Sequence, residues 1–396
     1  MEKVKLNEVT WFQEGPGVRN TQYTESGVKL LNVANLVNGK VVLSNTSRFI
    51  SEDEAFGKYK HFLCDDGDLI IASSGIKVEY LDKKMGFVTK DMLPLCMNTS
   101  TIRFKVKDKN QLDIKYLMYF FKSNIFKDQI QKLITGSAQL NYGPSHLNKV
   151  FIKMNTMNKQ KEIVNKLDKI TNMIENQEKM IKKYDDLIKS QFIEMFGDVN
   201  TNPKHWEMTK LQNICSSIVR GPFGSALKKE FFVEKNDTTY KVYEQKNAIQ
   251  KSEKLGTYYI TKEKYEELKR FECKPNDFIM SCSGTMGELY QLPASSEKGI
   301  INQALCKFTL NGKMNSTVFL EFMKDAIRNI ETKGSGIQNI ASVIYIKNLD
   351  VYVPPIELQN QFADFVKHID KLKFTLKQTL EKLENCYNSL MQEYFE

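Results

Sequence analysis

No apolar run in this sequence approaches the ~20 residues that span a bilayer, and the opening Met1-Glu-Lys-Val-Lys-Leu-Asn-Glu8 lacks the apolar stretch of a signal peptide. A soluble protein of the cytoplasm is expected. Seven cysteines, Cys64, Cys96, Cys215, Cys273, Cys282, Cys306 and Cys386, never come closer than nine positions, and an odd count without C-x-x-C argues against a disulfide framework. They are expected to be reduced, buried small hydrophobes. The four histidines, His61, His146, His205 and His368, are scattered singly, so no metal site of zinc-finger spacing can be drawn. Also missing are the phosphate loop G-x-x-x-x-G-K-[ST] and any third glycine after Gly15-x-Gly17, which removes support for nucleotide hydrolysis and for a dinucleotide fold. Val353-Pro354-Pro355-Ile356 lacks the preceding Asn or Asp of an amino-methyltransferase proline motif. Glu244-x-Lys246 and Glu331-x-Lys333 look like half of a metal-nuclease motif, but no Pro-Asp dipeptide stands upstream. With no catalytic residues to name and no cofactor site, the chain is expected not to be an enzyme by itself.

What is present begins with length and charge. The 396 residues, 41% hydrophobic and 27% charged with mean hydropathy −0.43, suffice for two to three domains. The net charge of +9 is uneven, at +6 over residues 1–157, 0 over 158–198, +5 over 199–355 and −2 over 356–396. Two basic blocks fit two polyanion-binding modules, although an excess of this size is also found on ordinary surfaces.

The strongest signal is a duplication. Residues Ile163, Leu167, Ile170, Ile174, Gln177, Ile181, Tyr184, Ile188 and Gln191 are spaced alternately four and three apart, and adding 199 gives Phe362, Val366, Ile369, Lys373, Leu376, Leu380, Leu383, Tyr387 and Leu390. This heptad seam predicts one long coiled-coil helix in each half. The polar members Gln177 and Lys373 either fix register or lie at a solvent edge. The long blocks match more loosely: Gly67–Gly75 with Asn276–Gly284, Asn98–Phe104 with Asn302–Phe308, Gly136–Gln139 with Gly334–Gln338, and Arg48–Ser51 with Tyr258–Thr261. The order is therefore module, helix, module, helix.

Strands are predicted at Leu69–Ala72, Thr101–Val106, Phe278–Ser281 and Leu305–Leu310, with helical patches at Ile114–Ile134 and Val318–Glu331, so each block reads as α+β around a mixed, curved sheet. Gly197-Asp198, Asn202-Pro203 and Pro354-Pro355 mark boundaries near 157, 198 and 355. Roughly 33 helical residues span about 50 Å, close to ~15 base pairs of B-DNA. The second module joins the end of one helix to the start of the other, so the helices are expected to pack antiparallel and the chain to imitate a twofold dimer.

Gly/Ser-rich spots offer backbone N–H groups and hydroxyls to a phosphate backbone, the alternative at each being a tight turn. The candidate DNA-binding residues are Arg19, Asn20, Ser73, Ser74, Lys77, Ser137 and Gln139 in the first half and Arg220, Ser225, Lys246, Ser283, Thr285, Ser335 and Gln338 in the second. Leu30–Asn35 faces something like Tyr240–Gln245, and unlike side chains on one framework would read different bases, with Asn, Gln, Lys and Arg as the natural base-edge readers.

The segment Glu175–Asp198, followed by Trp206-Glu207 and Lys210-Leu211, resembles the central conserved region of the specificity subunit of type I restriction-modification enzymes. The Gly-Ser-x-Gln elements near 136 and 334 and Pro354-Pro355-x-x-x-Gln359 are similar to that family's run-in to its helices. At the first run-in Asn155-Thr156 replaces the prolines, while Gln160 matches Gln359. The resemblance implies two homologous α/β target-recognition domains, 1–157 and 199–355, separated by two conserved helices, 158–198 and 356–396, that form a pseudo-twofold antiparallel coiled coil. It also implies a bipartite double-stranded DNA target with an unread spacer, and two docked adenine methyltransferase subunits that carry S-adenosylmethionine. An ATP- and Mg-dependent restriction and translocation subunit would join them. Phe192, Met195, Phe196, Met391, Tyr394 and Phe395 near the helix ends are candidates for partner docking or for mutual packing. The alternative from another class is a two-module adaptor that binds proteins. A membrane partner is disfavoured because the long helices are neutral or acidic.

Overall fold

The computed structural model describes residues 2–134, 141–332 and 343–396, with the side chains of 3–134, 141–327 and 343–396. The chain divides into two units, Met1–Glu178 with Gln378–Glu396, and Lys179–Lys377. Each unit therefore holds one block and a portion of both long helices.

In the first unit the strand that opens the block pairs with the one that closes it: Glu2–Lys5 runs antiparallel to Phe151–Met154. Between them stands a four-stranded antiparallel sheet in the order Thr10–Glu14, Thr101–Val106, Leu69–Ala72, Met85–Phe87. A second sheet pairs Val28–Leu31 antiparallel with Phe49–Ile50 and parallel with Leu95–Met97. All four residues of Leu69–Ala72 are buried, as expected of a strand covered on both faces. The single expected helical patch is two helices, Ile114–Lys122 and Asn124–Leu133. Ser123 divides them: its hydroxyl donates to the Phe120 carbonyl at 2.6 Å and accepts from the Phe126 N–H at 3.4 Å, which caps the second helix. The rings of Tyr116 and Phe120 pack on Phe395, with centroids 5.1 and 6.4 Å away, and Phe126 packs in turn on Phe120 and Phe121.

The second unit repeats the plan. Glu207–Lys210 pairs with Asp350–Val353, and the four-stranded sheet runs Cys215–Arg220, Leu305–Leu310, Phe278–Ser281, Leu289–Gln291. Tyr240–Tyr243 pairs antiparallel with Tyr259–Ile260 and parallel with Gly299–Ile301. The expectation of one mixed sheet per block is thus corrected to an antiparallel sheet and a separate mixed one. A parallel pair needs a long crossover, and here that crossover contains the hairpin that builds the other sheet.

Registers also correct one alignment. Leu31 lies opposite Met97 and Tyr243 opposite Ile301, which makes Leu31 the counterpart of Tyr243. Leu30–Asn35 therefore matches Val242–Asn247 rather than Tyr240–Gln245. Two of its amides are structural: Asn35 and Asn247 are buried, and their Oδ1 atoms accept the N–H groups of Asn32 at 2.9 Å and Glu244 at 2.7 Å.

The long helices run Met157–Phe196 and Ile356–Phe395. Gly197, at φ 84°, ends the first by donating its N–H to the Ile193 carbonyl at 2.8 Å, and a Cβ there would fall 2.7 Å from Pro203. One clamp seats the start of each helix. Gln160 Oε1 accepts from the Asp113 N–H at 2.9 Å while Nε2 donates to the carbonyls of Gln111 and Asn155 at 2.8 and 2.9 Å. Gln359 does the same with the Asn315 N–H at 2.7 Å and the carbonyls of Lys313 and Pro354 at 3.4 and 2.8 Å. The run-in geometry survives the replacement of proline by Asn155 because the clamp uses only the backbone carbonyl.

Along the seam Ile163, Leu167, Ile188, Phe362, Val366 and Ile369 are buried, while Ile170, Ile174, Ile181, Tyr184, Leu376, Leu380, Leu383 and Tyr387 are half-buried. Within the second unit the helices run antiparallel, since Phe192 and Phe196 meet Phe362, with centroids 5.6 and 5.4 Å away, while the earlier Asp185 pairs with the later Lys373. Within the first unit Ile163, Val164 and Leu167 share a core with Met391, Tyr394 and Phe395. Phe192, Phe196, Met391, Tyr394 and Phe395 are thus buried in their own units, which is mutual packing and not docking.

Candidate nucleic-acid interface

The second unit carries a groove of about 920 Å³ beside the end of strand Cys215–Arg220. Arg220 lies opposite Cys306, and the chain then leaves the sheet through Gly221, whose N–H donates to the Leu305 carbonyl at 2.9 Å. A Cβ on Gly221 would stand 1.8 Å from the Asn302 carbonyl oxygen, so only glycine lets the two backbones come this close. Pro222 is buried behind it, Phe223 is 88% exposed, and the Ala226 N–H closes a turn on the Phe223 carbonyl at 2.9 Å. Among the described residues lining the groove, Arg220, Arg270 and Lys347 are cations and none is a carboxylate. Ser225, Ser283 and Gln303 add hydroxyls and an amide. Such a surface attracts a polyanion and offers it donors.

Of the residues singled out in sequence, Arg220, Ser225 and Ser283 come together here. Thr285 is exposed on the loop that continues from Ser283, and Gln245 holds that loop by donating to the carbonyls of Ser283 and Thr285. Lys246 is set apart from the groove and pairs with Glu244 at 2.8 Å. Ser335 and Gln338, and Ser137 and Gln139 in the first half, lie outside the described residues. The sequence reading missed Arg270, Lys347 and Gln303. Phe223 was not among the candidates either.

In the first unit Arg19 and Asn20 are exposed at the start of a short 3-10 turn, where Arg19 donates its N–H to Gln22 Oε1 at 3.1 Å. Ser74 Oγ bonds Ser100 Oγ at 2.6 Å, and exposed Lys77 lies 3.7 Å from the Glu79 carboxylate. Ser73 is 1% exposed, which corrects its candidacy: it occupies the place of buried Cys282, on the inner side of the sheet. Three basic residues are likewise internal. Arg103 meets Asp68 at 3.3 Å and the Leu63 carbonyl at 2.5 Å, and Lys307 meets Asp277 at 3.8 Å and the Glu272 carbonyl at 2.7 Å, one buried pair in each unit. Lys241 is 1% exposed, 3.7 Å from Glu297.

Register and loop matching give the first-unit counterparts of the groove. Glu14 stands for Arg220, Gly17 for Phe223, His61 for Arg270 and Asn148 for Lys347. Gly15 repeats Gly221, with a Cβ that would fall 2.0 Å from the Asn98 carbonyl oxygen. Burial raises the carboxyl pKa of Glu14 above its ordinary value. One scaffold therefore presents a cationic, aromatic surface in one copy and a carboxylate, an imidazole and an amide in the other.

Known proteins agree with this duplication. The family model for the type I restriction modification DNA specificity domain matches residues 1–183 and 203–385. The type I restriction enzyme MjaVIII specificity subunit of Methanocaldococcus jannaschii is 29% identical over 164 residues, 40% of this chain and 37% of that protein, so the match spans little more than a third of that relative. The fold aligns with the S subunit of a type I restriction-modification system from M. genitalium at TM-score 0.51 and 17% identity, over 100% of this chain and 96% of that one. It also aligns, at TM-score 0.58 and 14% identity over 99% and 96% of the chains, with a structure concerned with complex assembly and conformational transition of the type I R-M system.

Proposed function

The chain belongs to the type I restriction modification DNA specificity domain family, and from that premise we propose that it is the DNA-reading, non-catalytic subunit of a type I restriction-modification complex. The groove that gathers Arg220, Arg270 and Lys347, with no carboxylate among its described lining residues, carries this reading. Residues 1–157 and 199–355 each read one half of a bipartite duplex target, and the helices 158–198 and 356–396 set the spacer as an antiparallel coiled coil. Unlike chemistry at matched positions supports two different half-sites.

Two methyltransferase subunits dock on the helices and bring S-adenosylmethionine, and a restriction and translocation subunit brings ATP and Mg. Met173, Met180 and Leu187, at 53%, 47% and 42% exposure, recur every seven residues on the first helix outside its seam, a stripe suited to a partner helix. Among the described residues no helix is long and apolar enough to cross a membrane, and the reading places the complex in the cytoplasm with the DNA.

The test is co-expression with a methyltransferase subunit and mapping of N6-methyladenine across the host DNA. Methylation confined to one split motif and lost without this chain is the expected result. Methylation unchanged without it would favour the protein adaptor.

A further inference from the structure

We propose that Phe223 is a stacking wedge, its ring entering the base stack of duplex DNA at the half-site of the second module; the proposal rests on the DNA-reading function above. The structure holds this ring in water at 88% exposure, above every other large apolar side chain of the described residues. Its backbone is pinned on both sides. Gly221 is pressed against the Asn302 carbonyl, Pro222 is buried, and the Ala226 N–H bonds the Phe223 carbonyl at 2.9 Å. The ring is thus presented from a fixed corner, which lowers the cost of ordering it on contact.

What surrounds the ring identifies the occupant. Arg220, Arg270 and Lys347 line the same groove, with no carboxylate among the described lining residues. A protein partner of ordinary mixed charge would bring carboxylates and cations alike to this cationic lining, whereas a duplex supplies phosphates for the cations and a π-face for the ring. Apolar side chains that enter a base step partly unstack it and bend the duplex.

The first module lacks the device for chemical rather than spatial reasons. At its counterpart Gly17 a Cβ would meet nothing within 4 Å, and the backbone is not in the left-handed region, so a side chain would fit. The wedge therefore distinguishes the two half-sites and makes the second the deformed one.

The experiment uses the full chain with duplexes selected from a random pool by binding to it. 2-Aminopurine, which brightens on unstacking, is walked through both half-sites. The expected result is a fluorescence rise at one step of the second half-site, lost in Phe223→Ala together with about tenfold in affinity, and kept in Phe223→Trp. Gly17→Phe is expected to create a new rise in the first half-site. If Phe223→Ala leaves fluorescence and affinity unchanged while Ala at Arg220, Arg270 and Lys347 lowers affinity, the wedge is wrong and the DNA reading stands. If Phe223→Ala leaves DNA binding intact and weakens association with a methyltransferase subunit, the ring belongs to a protein interface and the proposal is overturned. Absence of any salt-dependent duplex binding by the wild-type chain would remove the DNA reading itself.

Discussion

Glu14 and Arg220 hold the same place in two copies of one strand and carry opposite charge. Glu14 lies opposite Ile102 and Arg220 opposite Cys306, and each precedes a glycine pressed against an asparagine carbonyl. Duplication has kept the backbone corner while the side chain beside it has changed sign. A phosphate that Arg220 attracts would be repelled by Glu14, so on the proposed function the two modules would meet DNA through different contacts.

Replacing Arg220, Arg270 and Lys347 together by alanine is expected to weaken duplex binding for all sequences. The plot of log K against log salt should flatten by up to about 3, because each lost phosphate contact removes ~0.9 from the slope. Fluorescence anisotropy across a salt series reads it, and an unchanged slope would place the phosphate backbone elsewhere.

Glu14 makes the first unit sensitive to pH in a defined direction. Burial raises its carboxyl pKa, so the folded state holds this proton more tightly than the unfolded one. The associated stability is fully present below the ordinary glutamate value and is lost as pH rises through the raised one. Glu14→Gln should therefore gain Tm relative to wild type at neutral pH and lose that advantage in acid. Thermal scans at several pH values decide; equal differences at every pH would contradict the assignment.

The clamp at the helix starts should show in both stability and exchange. Gln160→Leu takes the partner from one half-buried N–H and two carbonyls and is expected to cost on the order of 2 kcal/mol in urea unfolding. Amide exchange should quicken at Asp113, and in Gln359→Leu at Asn315. No local change at either amide would mean that the clamp does not hold the helix.

Native thiol titration should find one reactive cysteine of seven. Cys386 is exposed and the other six are buried, with burial pushing the thiols of Cys96 and Cys215 up to about 12. All seven should react once the chain is unfolded.

The long helices, the four strongest strands and the Gln160/Gln359 match were legible because each depends on spacing or identity within a short stretch. The groove was legible only at Arg220, Ser225 and Ser283, which sit in Gly/Ser-rich motifs. Arg270 and Lys347 reach it from distant segments through the fold, and nothing local in Lys269-Arg270-Phe271 or Ile346-Lys347-Asn348 announces a shared site. Ser73 misled because Ser-Ser-Gly reads as a loop, whereas its first serine still belongs to the inner face of the sheet. The shift of two in matching Leu30–Asn35 arose because apolar β runs resemble one another at several registers. Only pairing with Leu95–Met97 and Gly299–Ile301 decides between them.

The first unit is not a continuous stretch of chain, and that sets an order on how the protein is made. Phe395 packs on Tyr116 and Phe120, and Met391 and Tyr394 join the same core. A ribosome must therefore deliver all of Lys179–Lys377 before the segment that completes the first unit exists. The module synthesised first is the one finished last. Until then its aromatic face waits uncovered, a target for chaperones, so a premature stop near residue 380 would damage the first module while sparing the second.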